Sequence, residues 1–332
     1  MPSMRDAFPC AIVCPAPRAL PLPPEVDPLS DTFSLAHAAE DARLRAQAAL
    51  QHAENAADEA ALVVLPEDIH GIRHFWRQLE APRVFQHIAE PVPGPTTRTA
   101  AKIARRHRAY LVVALYENDA ATIYNTMVLI GPRGKLLARY RKVHVAPGEH
   151  WIATAGSRFV VTKTHLGRIG LACGEDYLFP ETPCVLARLG AEIVVVASKR
   201  PISDGTLGLR SSEHGFVTVF AQAGGSAFFD QRGRMLAQSA GMRDFVLAAE
   251  LRNEAPWPAD RDELEALLTG VAERRPRLSA FRRPEAYEAL VAKEWPEAPL
   301  SRREIDAGRW KAFQALAEKW AGGPALIPEW EL

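Results

Sequence analysis

Three residues whose types suit covalent catalysis each stand at the end of a predicted β-strand. Cys173 ends one apolar run, Glu67 follows another, and Lys142 ends a third strand segment. A thiol at the end of a buried strand, followed by Gly174, is typical of a presented nucleophile. A carboxylate can serve as its base, and an ammonium can stabilise an oxyanion. These residue types therefore predict nucleophilic catalysis at a strand-end site.

The thiol and the carboxylate also have ordinary structural interpretations. Cys173 could be a buried core cysteine, and Glu67 could be a solvated loop carboxylate. We favour catalysis because Gly174 permits a positive φ that presents the thiol. Burial behind Pro66 would also raise the pKa of Glu67 towards the working range. Glu67 would then take the thiol proton, return it to the leaving nitrogen and activate water.

Lys142 lies in a short basic run that could belong to the surface. Strand alternation places Tyr140 and Lys142 on one face and Arg139 and Arg141 on the other. Alternation alone does not say which face points inward, so both interpretations stay open at this point.

Composition excludes several classes of partner. The 332 residues include 40 Lys and Arg and 40 Asp and Glu, so net charge predicts neither nucleic-acid nor anionic-membrane binding. The chain lacks the roughly 18–20 uninterrupted apolar residues of a membrane helix, and we expect no secretory signal. Four cysteines do not suggest a disulfide framework, so we expect a cytoplasmic protein with reduced thiols.

Two pairs of potential metal ligands have four-residue spacing. Cys10 and Cys14 share one face of a predicted strand, but no second Cys or His pair has zinc-finger spacing, so buried small side chains are the better interpretation. His70 and His74 lack the glutamate that follows the first histidine in a zinc-hydrolase helix. We expect no metal.

Periodicity predicts alternating helices and strands. The first half has strands at 11–13, 61–65 and 110–115, helices at 34–57, 75–89 and 97–107, and a hairpin of strands 124–130 and 135–140, with Asp31 as a capping candidate for the long helix. The second half has strands at 169–173, 193–197 and 216–221, helices at 184–189 and 209–214, a hairpin of 226–229 and 234–238, and a strand at 245–251 expected to close the second sheet.

The two predicted hairpins align with each other without a gap. A doubled unit with outer helices predicts an α/β fold, a four-layer α-β-β-α sandwich with a pseudo-twofold repeat. Beyond Pro256 the chain changes to charged helical segments separated by prolines, with tryptophans at 295, 310, 320 and 330. We expect one domain over 1–290 and a helical extension over 291–332 that packs on the body or, preferably, on a second subunit.

The strand-end motifs resemble those of the nitrilase superfamily of carbon–nitrogen hydrolases. They are Leu-Pro-Glu at 65–67, Tyr-Arg-Lys-Val-His at 140–144, Gly-Leu-Ala-Cys at 170–173 and Phe-Pro-Glu at 179–181. Further similarity lies in the helix 210–214 and the hairpin 225–233, so the resemblance covers roughly residues 8–290 in order. It implies the sandwich fold, no cofactor, and homodimers or larger assemblies. It also selects Lys142 as the oxyanion stabiliser, with the N–H of Gly174.

The resemblance suggests further site residues. Glu149 is the candidate for the additional glutamate that many members place beside the triad, although 147–149 could be an ordinary turn. Candidates for substrate binding are Gly174, His150, Trp151, Glu175, Asp176, Tyr177, Lys199 and Arg200. Lys199 and Arg200 could clamp a substrate carboxylate, although solvated cations at a loop start are the plainer interpretation.

The sequence departs from the family near the nucleophile. Pro180 lies seven residues after Cys173, where six is usual, and the segment between Lys199 and Arg210 is short. These departures affect the substrate more than the reaction.

The function predicted from the sequence is hydrolysis of a non-peptide C–N bond in a small amide through a cysteine thioester. Nitrile or N-carbamoyl hydrolysis would use the same residues, and Gly174 favours an amide, because nitrilases resemble Cys-Trp-Glu at the nucleophile. Acyl transfer to an amine, ammonia supply to a separate synthetase, and a non-catalytic binding or scaffold role are the rival functions.

Overall fold

The computed structural model describes residues 7–15, 24–27, 33–75, 81–146, 148–239 and 245–252. The first half contains β1 (Phe8–Cys14), α1 (Leu35–Ala56), β2 (Leu62–Val64), α2 (Ala81–Ile88), α3 (Pro95–His107), β3 (Tyr110–Asp119), β4 (Thr122–Ile130) and β5 (Leu136–Arg141). The second half contains β6 (Val160–Thr164), β7 (Gly167–Cys173), α4 (Glu181–Arg188), β8 (Ile193–Ser198), α5 (Asp204–His214), β9 (Val217–Gln222), β10 (Ala227–Phe229), β11 (Met235–Gln238) and β12 (Phe245–Leu251). The predicted C-terminal extension, its tryptophans and Asp31 lie outside the described residues.

The described strands form two six-stranded sheets with matching organisation. Their orders are β12-β1-β2-β3-β4-β5 and β6-β7-β8-β9-β10-β11. In each sheet one antiparallel edge strand precedes three parallel strands, and an antiparallel hairpin ends the sheet. This repetition confirms the predicted pseudo-twofold sandwich.

The strand over 245–251 was assigned to the wrong sheet from the sequence. β12 pairs antiparallel with β1 in the first sheet, with Phe8 opposite Leu251 and Cys14 opposite Phe245. The apolar β1 needs hydrogen-bonding neighbours on both sides, since its backbone groups are buried. The alternation of β12 reports that one face is buried but not which sheet it joins. β6 was not predicted, although its sequence Val-Val-Thr-Lys-Thr is rich in β-branched residues.

Apolar side chains fill three layers of packing. Facing residues of the two sheets form the central core, which includes Cys10, Cys14 and Cys173. On the outer side of the first sheet, alanines of α1 and α3 pack on the strands, and a corresponding apolar cluster lies between the second sheet and α4 and α5. The buried stripe of α1 is mostly alanine, which lets the helix approach the sheet closely. The helix is capped by Ser34, whose side chain accepts from the N–H of His37 at 3.4 Å.

Among the described residues, no helix combines the length and the apolar character needed to cross a bilayer.

Each hairpin turn contacts a helix through a glycine. Gly134 has φ +72°, and a Cβ there would lie 2.7 Å from the carbonyl oxygen of Ala101 in α3. Gly233 has φ +78°, and a Cβ there would lie 2.4 Å from the carbonyl oxygen of Gly208 in α5. Both halves therefore fix the hairpin to the helix by backbone contact that a larger residue would prevent.

Gly208→Ala tests this contact. A Cβ at Gly208 would lie 2.6 Å from the carbonyl oxygen of Gly233, so the turn must move. We expect a loss of about 1–3 kcal/mol in the free energy of unfolding. Gly205→Ala in the same helix is the control, because nothing lies within 4 Å of its added Cβ. It should be neutral or stabilising by up to about 1 kcal/mol. Equal effects of the two substitutions in urea unfolding would contradict the close contact.

Candidate active site

The three residues selected from the sequence meet between the two sheets. Glu67 follows β2, Lys142 directly follows β5, and Cys173 is the last residue of β7. All three side chains are buried, and Lys142 and Cys173 have no exposed surface. As alternation predicts, Tyr140 and Lys142 share the inward face of their segment. Strand ends of both sheets therefore supply one enclosed cluster.

The ammonium group of Lys142 lies at the centre of this cluster. Its Nζ is 2.8 Å from Oε2 of Glu149 and 3.3 Å from Oε1 of Glu67, and it also contacts Oε2 of Glu175. A buried ammonium without compensating charge would be strongly destabilising. Three carboxylates from separate segments supply that compensation.

Asn125 of β4 links the thiol to two of these carboxylates. Its Nδ2 donates to Oε1 of Glu67 at 2.8 Å and to Oε1 of Glu149 at 2.7 Å. These acceptors orient the amide, so its Oδ1 faces the Sγ of Cys173, which donates to it at 3.5 Å. Tyr116 of β3 also donates to Oε1 of Glu149 at 2.7 Å. Glu149 is thereby a fixed member of the cluster rather than a solvated turn residue.

Sequence reasoning missed Asn125 and Tyr116. Both side chains carry polar groups, lie in the two longest strands, β3 and β4, and are almost completely buried. Buried polar side chains are normally hydrogen-bonded, so an asparagine within an apolar strand was an available signal. Its partners, however, come from segments 24 and 58 residues away.

The pKa of Glu67 is lowered, whereas the sequence analysis predicted that burial would raise it. Burial alone would raise the pKa, but Lys142, Arg73 and the hydrogen bond from Asn125 lower it to about 2. The backbone N–H of Lys199 also donates to Oε2 of Glu67 at 2.8 Å. The sequence expectation was wrong because it considered desolvation without the opposite charges that accompany it.

The neighbouring charges set the other protonation states. Burial would lower the pKa of Lys142, but Glu67 and Glu149 hold it well above its usual value. Burial would raise the pKa of Glu149, but Lys142 lowers it. Burial and the negative charge of Glu67 raise the pKa of Cys173 well above that of an ordinary thiol, against the opposing effect of Lys142. At neutral pH these shifts keep Cys173 as a thiol, Glu67 and Glu149 as carboxylates and Lys142 as an ammonium.

Gly174 brings the backbone after the nucleophile against the cluster. Its φ is +48°, and a Cβ there would lie 3.0 Å from Oε2 of Glu67 and 3.2 Å from Nζ of Lys142. Any side chain at this position would crowd both charged groups. The positive φ predicted from the sequence is present, but the thiol is buried rather than exposed to solvent.

Asp176 is a structural anchor rather than a substrate ligand. Its carboxylate accepts from the backbone N–H of Cys173 at 3.0 Å, the Tyr140 hydroxyl at 2.5 Å and the backbone N–H of His144 at 2.7 Å. These bonds tie the end of β7 to the segment around Lys142. The prediction that Asp176 selects the substrate was wrong, because protein groups occupy both of its carboxylate oxygens.

The structure brings some of the predicted substrate residues to the cluster and leaves others outside. Glu175 contacts Lys142, and Arg200 Nε lies 3.2 Å from Oε1 of Glu175. Tyr177 lies in the outer apolar layer of the second sheet, with its hydroxyl 3.2 Å from the Thr218 hydroxyl.

The remaining substrate candidates follow Glu149 directly. His150 and Trp151 belong to the same 3-10 turn, Glu149–Trp151, and both are half-buried. Trp151 packs against an apolar cluster that includes Phe75 and Phe85.

Three carboxylates have the spacing of a metal site. Oxygen atoms of Glu67, Glu149 and Glu175 lie within 4.8 Å of one another. All three contact the Lys142 ammonium, which already supplies positive charge at their centre. A metal ion would have to displace this ammonium.

Comparison with known proteins identifies the family of this chain. The family model described as carbon–nitrogen hydrolase matches residues 34–255. The chain belongs to the carbon–nitrogen hydrolase family. The resemblance to the nitrilase superfamily is thereby confirmed.

Individual relatives in this family include amidases and nitrilases. An (R)-stereoselective amidase of Pseudomonas sp is 31% identical over 191 residues, which cover 53% of this chain and 69% of that protein. A nitrilase of Pyrococcus abyssi is 31% identical over 165 residues, 49% of this chain and 62% of that protein. Saccharomyces cerevisiae Nit3, a member of branch 10 of the nitrilase superfamily, shares the fold with a TM-score of 0.61 at 20% identity, over 82% of this chain and 99% of that one.

Lys142→Met tests the central ion cluster. At neutral pH we expect a loss of about 3–5 kcal/mol in unfolding free energy, because buried carboxylates lose their main counter-charge. In the wild type, the lowered pKa values of Glu67 and Glu149 give stability that is present above the unfolded carboxyl pKa and is lost as pH falls. In the variant, burial should raise these pKa values. Its melting temperature should therefore be higher at pH 5 than at pH 8.

Lys163→Met on β6 is the matched control, because Lys163 is exposed. Its melting temperature should follow the wild-type pH profile. A Lys142→Met profile parallel to that of the wild type would contradict the charge compensation described above.

Proposed function

We propose that this carbon–nitrogen hydrolase cleaves the C–N bond of a small amide through a thioester on Cys173. The observation that carries the proposal is the buried network in which Cys173, through Asn125, is linked to Glu67 and Glu149 around the Lys142 ammonium. A nucleophile, a base and a fixed positive charge in one enclosed cluster suit acyl transfer.

The first step requires transfer of the thiol proton. Because the pKa of Cys173 is raised and that of Glu67 is lowered, this transfer is unfavourable in the resting site. A substrate carbonyl oxygen placed beside Lys142 would weaken the Lys142–Glu67 contact and make Glu67 more basic. Cys173 Sγ then bonds to the carbonyl carbon while its proton passes to Glu67, and Lys142 stabilises the oxyanion.

The later steps reuse the same groups. The proton on Glu67 passes to the leaving nitrogen, the C–N bond breaks, and ammonia or an amine departs from the thioester. Glu67 then takes a proton from water, whose oxygen attacks the thioester carbon. Collapse of the second tetrahedral intermediate breaks the C–S bond and releases the acid, while the proton on Glu67 passes to the departing sulfur and restores the thiol. Glu149 and Asn125 act by positioning Lys142 and Glu67.

A nitrile is the second candidate substrate. The relative from Pyrococcus abyssi is named a nitrilase, and attack of a thiolate on a nitrile carbon would need the same three groups. The amide is preferred because Gly174 stands directly after the nucleophile. N-carbamoyl compounds would also pass through this mechanism.

The cellular location and the oligomeric state of the protein are part of the same proposal. The four cysteines, all among the described residues, form no disulfide, which supports a cytoplasmic location. Four large apolar side chains in or beside α4, at Leu178, Phe179, Val185 and Leu189, are exposed, which supports assembly as a homodimer or larger homo-oligomer.

Cys173→Ala and Glu67→Gln test the proposed chemistry. Each should lower ammonia release from small amides by at least about 10³-fold, because each removes a group needed in both half-reactions. Cys184→Ser is the matched control, since Cys184 is a half-buried thiol on α4 outside the cluster. It should retain activity within about twofold.

Circular dichroism and melting curves would establish that all variants are folded. Ammonia release by folded Cys173→Ala at the wild-type rate would overturn the proposal. So would absence of release by the wild type from a broad panel of amides and nitriles.

A further inference from the structure

Lys199 contacts two consecutive carboxylates of the loop that carries Glu67. Its backbone N–H donates to Oε2 of Glu67 at 2.8 Å, and its Nζ lies 2.9 Å from Oδ2 of Asp68. Lys199 directly follows β8 in the second sheet, whereas Glu67 and Asp68 follow β2 in the first sheet. One residue therefore joins the ends of two strands from different sheets at the active site.

Asp68 has an unusual backbone conformation directly after Glu67. Its φ is +55°, in the left-handed region that is uncommon for a residue with a Cβ. Its side chain accepts from the backbone N–H groups of Ile72 at 3.2 Å and Arg73 at 2.9 Å, at the start of the 3-10 turn Ile72–Phe75. The Asp68 carboxylate therefore fixes the course of the chain on the C-terminal side of Glu67.

The ion pair between Asp68 and Lys199 is largely enclosed. The Asp68 side chain has no exposed surface, and that of Lys199 is 26% exposed. A buried carboxylate that lost this counter-charge would be destabilised, so the loop would have to rearrange to hydrate it. Because Glu67 is the adjacent residue, such a rearrangement would displace its carboxylate.

The backbone around Lys199 is itself fixed by polar contacts. The Ser198 hydroxyl donates to the carbonyl oxygen of Arg200 at 2.8 Å and accepts from its N–H at 3.1 Å. Nε2 of Gln222 donates to the carbonyl oxygen of Lys199 at 3.4 Å. The second sheet therefore gives Lys199 a defined position from which its side chain reaches the loop of the first sheet.

We propose that Lys199 is a positioning residue for the general base, and that its ion pair with Asp68 holds the Glu67 carboxylate in place for proton transfer. The inference rests on the proposed function, in which Glu67 moves protons in both half-reactions. Glu67 has to keep one oxygen on Asn125 and the other on the N–H of Lys199. A displacement of about 1 Å at a reacting group can lower a rate by about 100-fold.

This role differs from the one that sequence reasoning considered for Lys199, which was half of a clamp for a substrate carboxylate. In the structure its ammonium faces a carboxylate of the protein, that of Asp68. The two roles predict different kinetics. Loss of a substrate ligand raises KM, whereas loss of a positioning residue for the base lowers kcat.

Substitution of each partner, alone and together, tests the ion pair. Lys199→Met removes the ammonium and keeps the backbone N–H that donates to Glu67. Asp68→Asn removes the opposite charge and keeps a residue type that tolerates a positive φ. With butyramide as substrate, each single variant should lower kcat by about 10- to 100-fold and change KM by less than about threefold.

The double variant Asp68→Asn/Lys199→Met should have a kcat no lower than the slower single variant, because both substitutions break the same pair. It contains no unpaired charge, so it can be assayed even where Lys199→Met is too unstable. Lys199→Arg should restore kcat to within about threefold of the wild type, because the guanidinium keeps the charge.

Lys163→Met is the matched control, because Lys163 is an exposed lysine on β6. It should leave kcat and KM unchanged. A raised KM with unchanged kcat in Lys199→Met would assign Lys199 to substrate binding and overturn the positioning role. Effects that multiply in the double variant would also overturn it, since the two residues would then act separately.

Alkylation of Cys173 by iodoacetamide gives a readout that needs no turnover. In this reaction Sγ bonds to the methylene carbon, the C–I bond breaks with loss of iodide, and the thiol proton passes to Glu67. Mass spectrometry of the peptide that contains Cys173 follows the rate. This rate should fall by about 10- to 100-fold in Lys199→Met, in Asp68→Asn and in the double variant, but not in Lys163→Met.

The two measurements separate the positioning role from the reaction. Slower alkylation in the three variants, with no wild-type ammonia release from a panel of amides that includes butyramide, would support the positioning role and contradict the proposed hydrolysis. Ammonia release and alkylation at wild-type rates in Lys199→Met would support the hydrolysis and overturn the positioning role. Absence of both reactions in the wild type would overturn both proposals.

Discussion

The buried ammonium of Lys142 is the constraint on which the site depends. A charge with no exposed surface persists only where opposite charges and hydrogen bonds replace its hydration. Here that replacement comes from Glu67, Glu149 and Glu175, which follow three different elements. The two sheets must therefore pack in one relative arrangement for the charges to balance. The requirement explains why the polar side chain of Asn125 is tolerated at a buried position of β4.

The same charges hold the resting site in a state that does not react. A thiol with a raised pKa stands near a carboxylate with a lowered pKa, so the proton remains on sulfur. In the proposed mechanism, a substrate oxygen at Lys142 changes this balance, because it competes with the carboxylates for the ammonium. Activation would then be coupled to substrate binding.

Sequence reasoning identified the residues whose type and strand-end position signal chemistry, because these are local features. Cys173, Glu67 and Lys142 each stand at the end of a predicted strand, and the repeated hairpins revealed the doubled fold. Residues whose role depends on contacts with distant segments of the chain could not be identified from such local features. Arg73 lies in a short turn with no distinctive pattern.

Strand pairing between distant segments and the electrostatics of the site also could not be predicted from the sequence. The alternation of β12 did not say that it would pair with β1. The direction of the Glu67 pKa followed from cations that only the fold brings near, so it could not be read from burial alone. Asp176 illustrates the same limit, since its acidic side chain beside the nucleophile suggested substrate contact, whereas the structure uses it to join β7 to the Lys142 segment.

The central claim is that Cys173 forms a covalent bond with the acyl group of an amide while Glu67 moves protons. Its most direct test is mass spectrometry of the wild-type protein, quenched with acid during turnover of a slowly hydrolysed amide. Slow deacylation should leave the acyl mass on the peptide that contains Cys173, and hydroxylamine should remove it, as expected for a thioester. An acyl group found on Cys184 instead, or turnover that proceeds normally when residue 173 is alanine, would contradict the account.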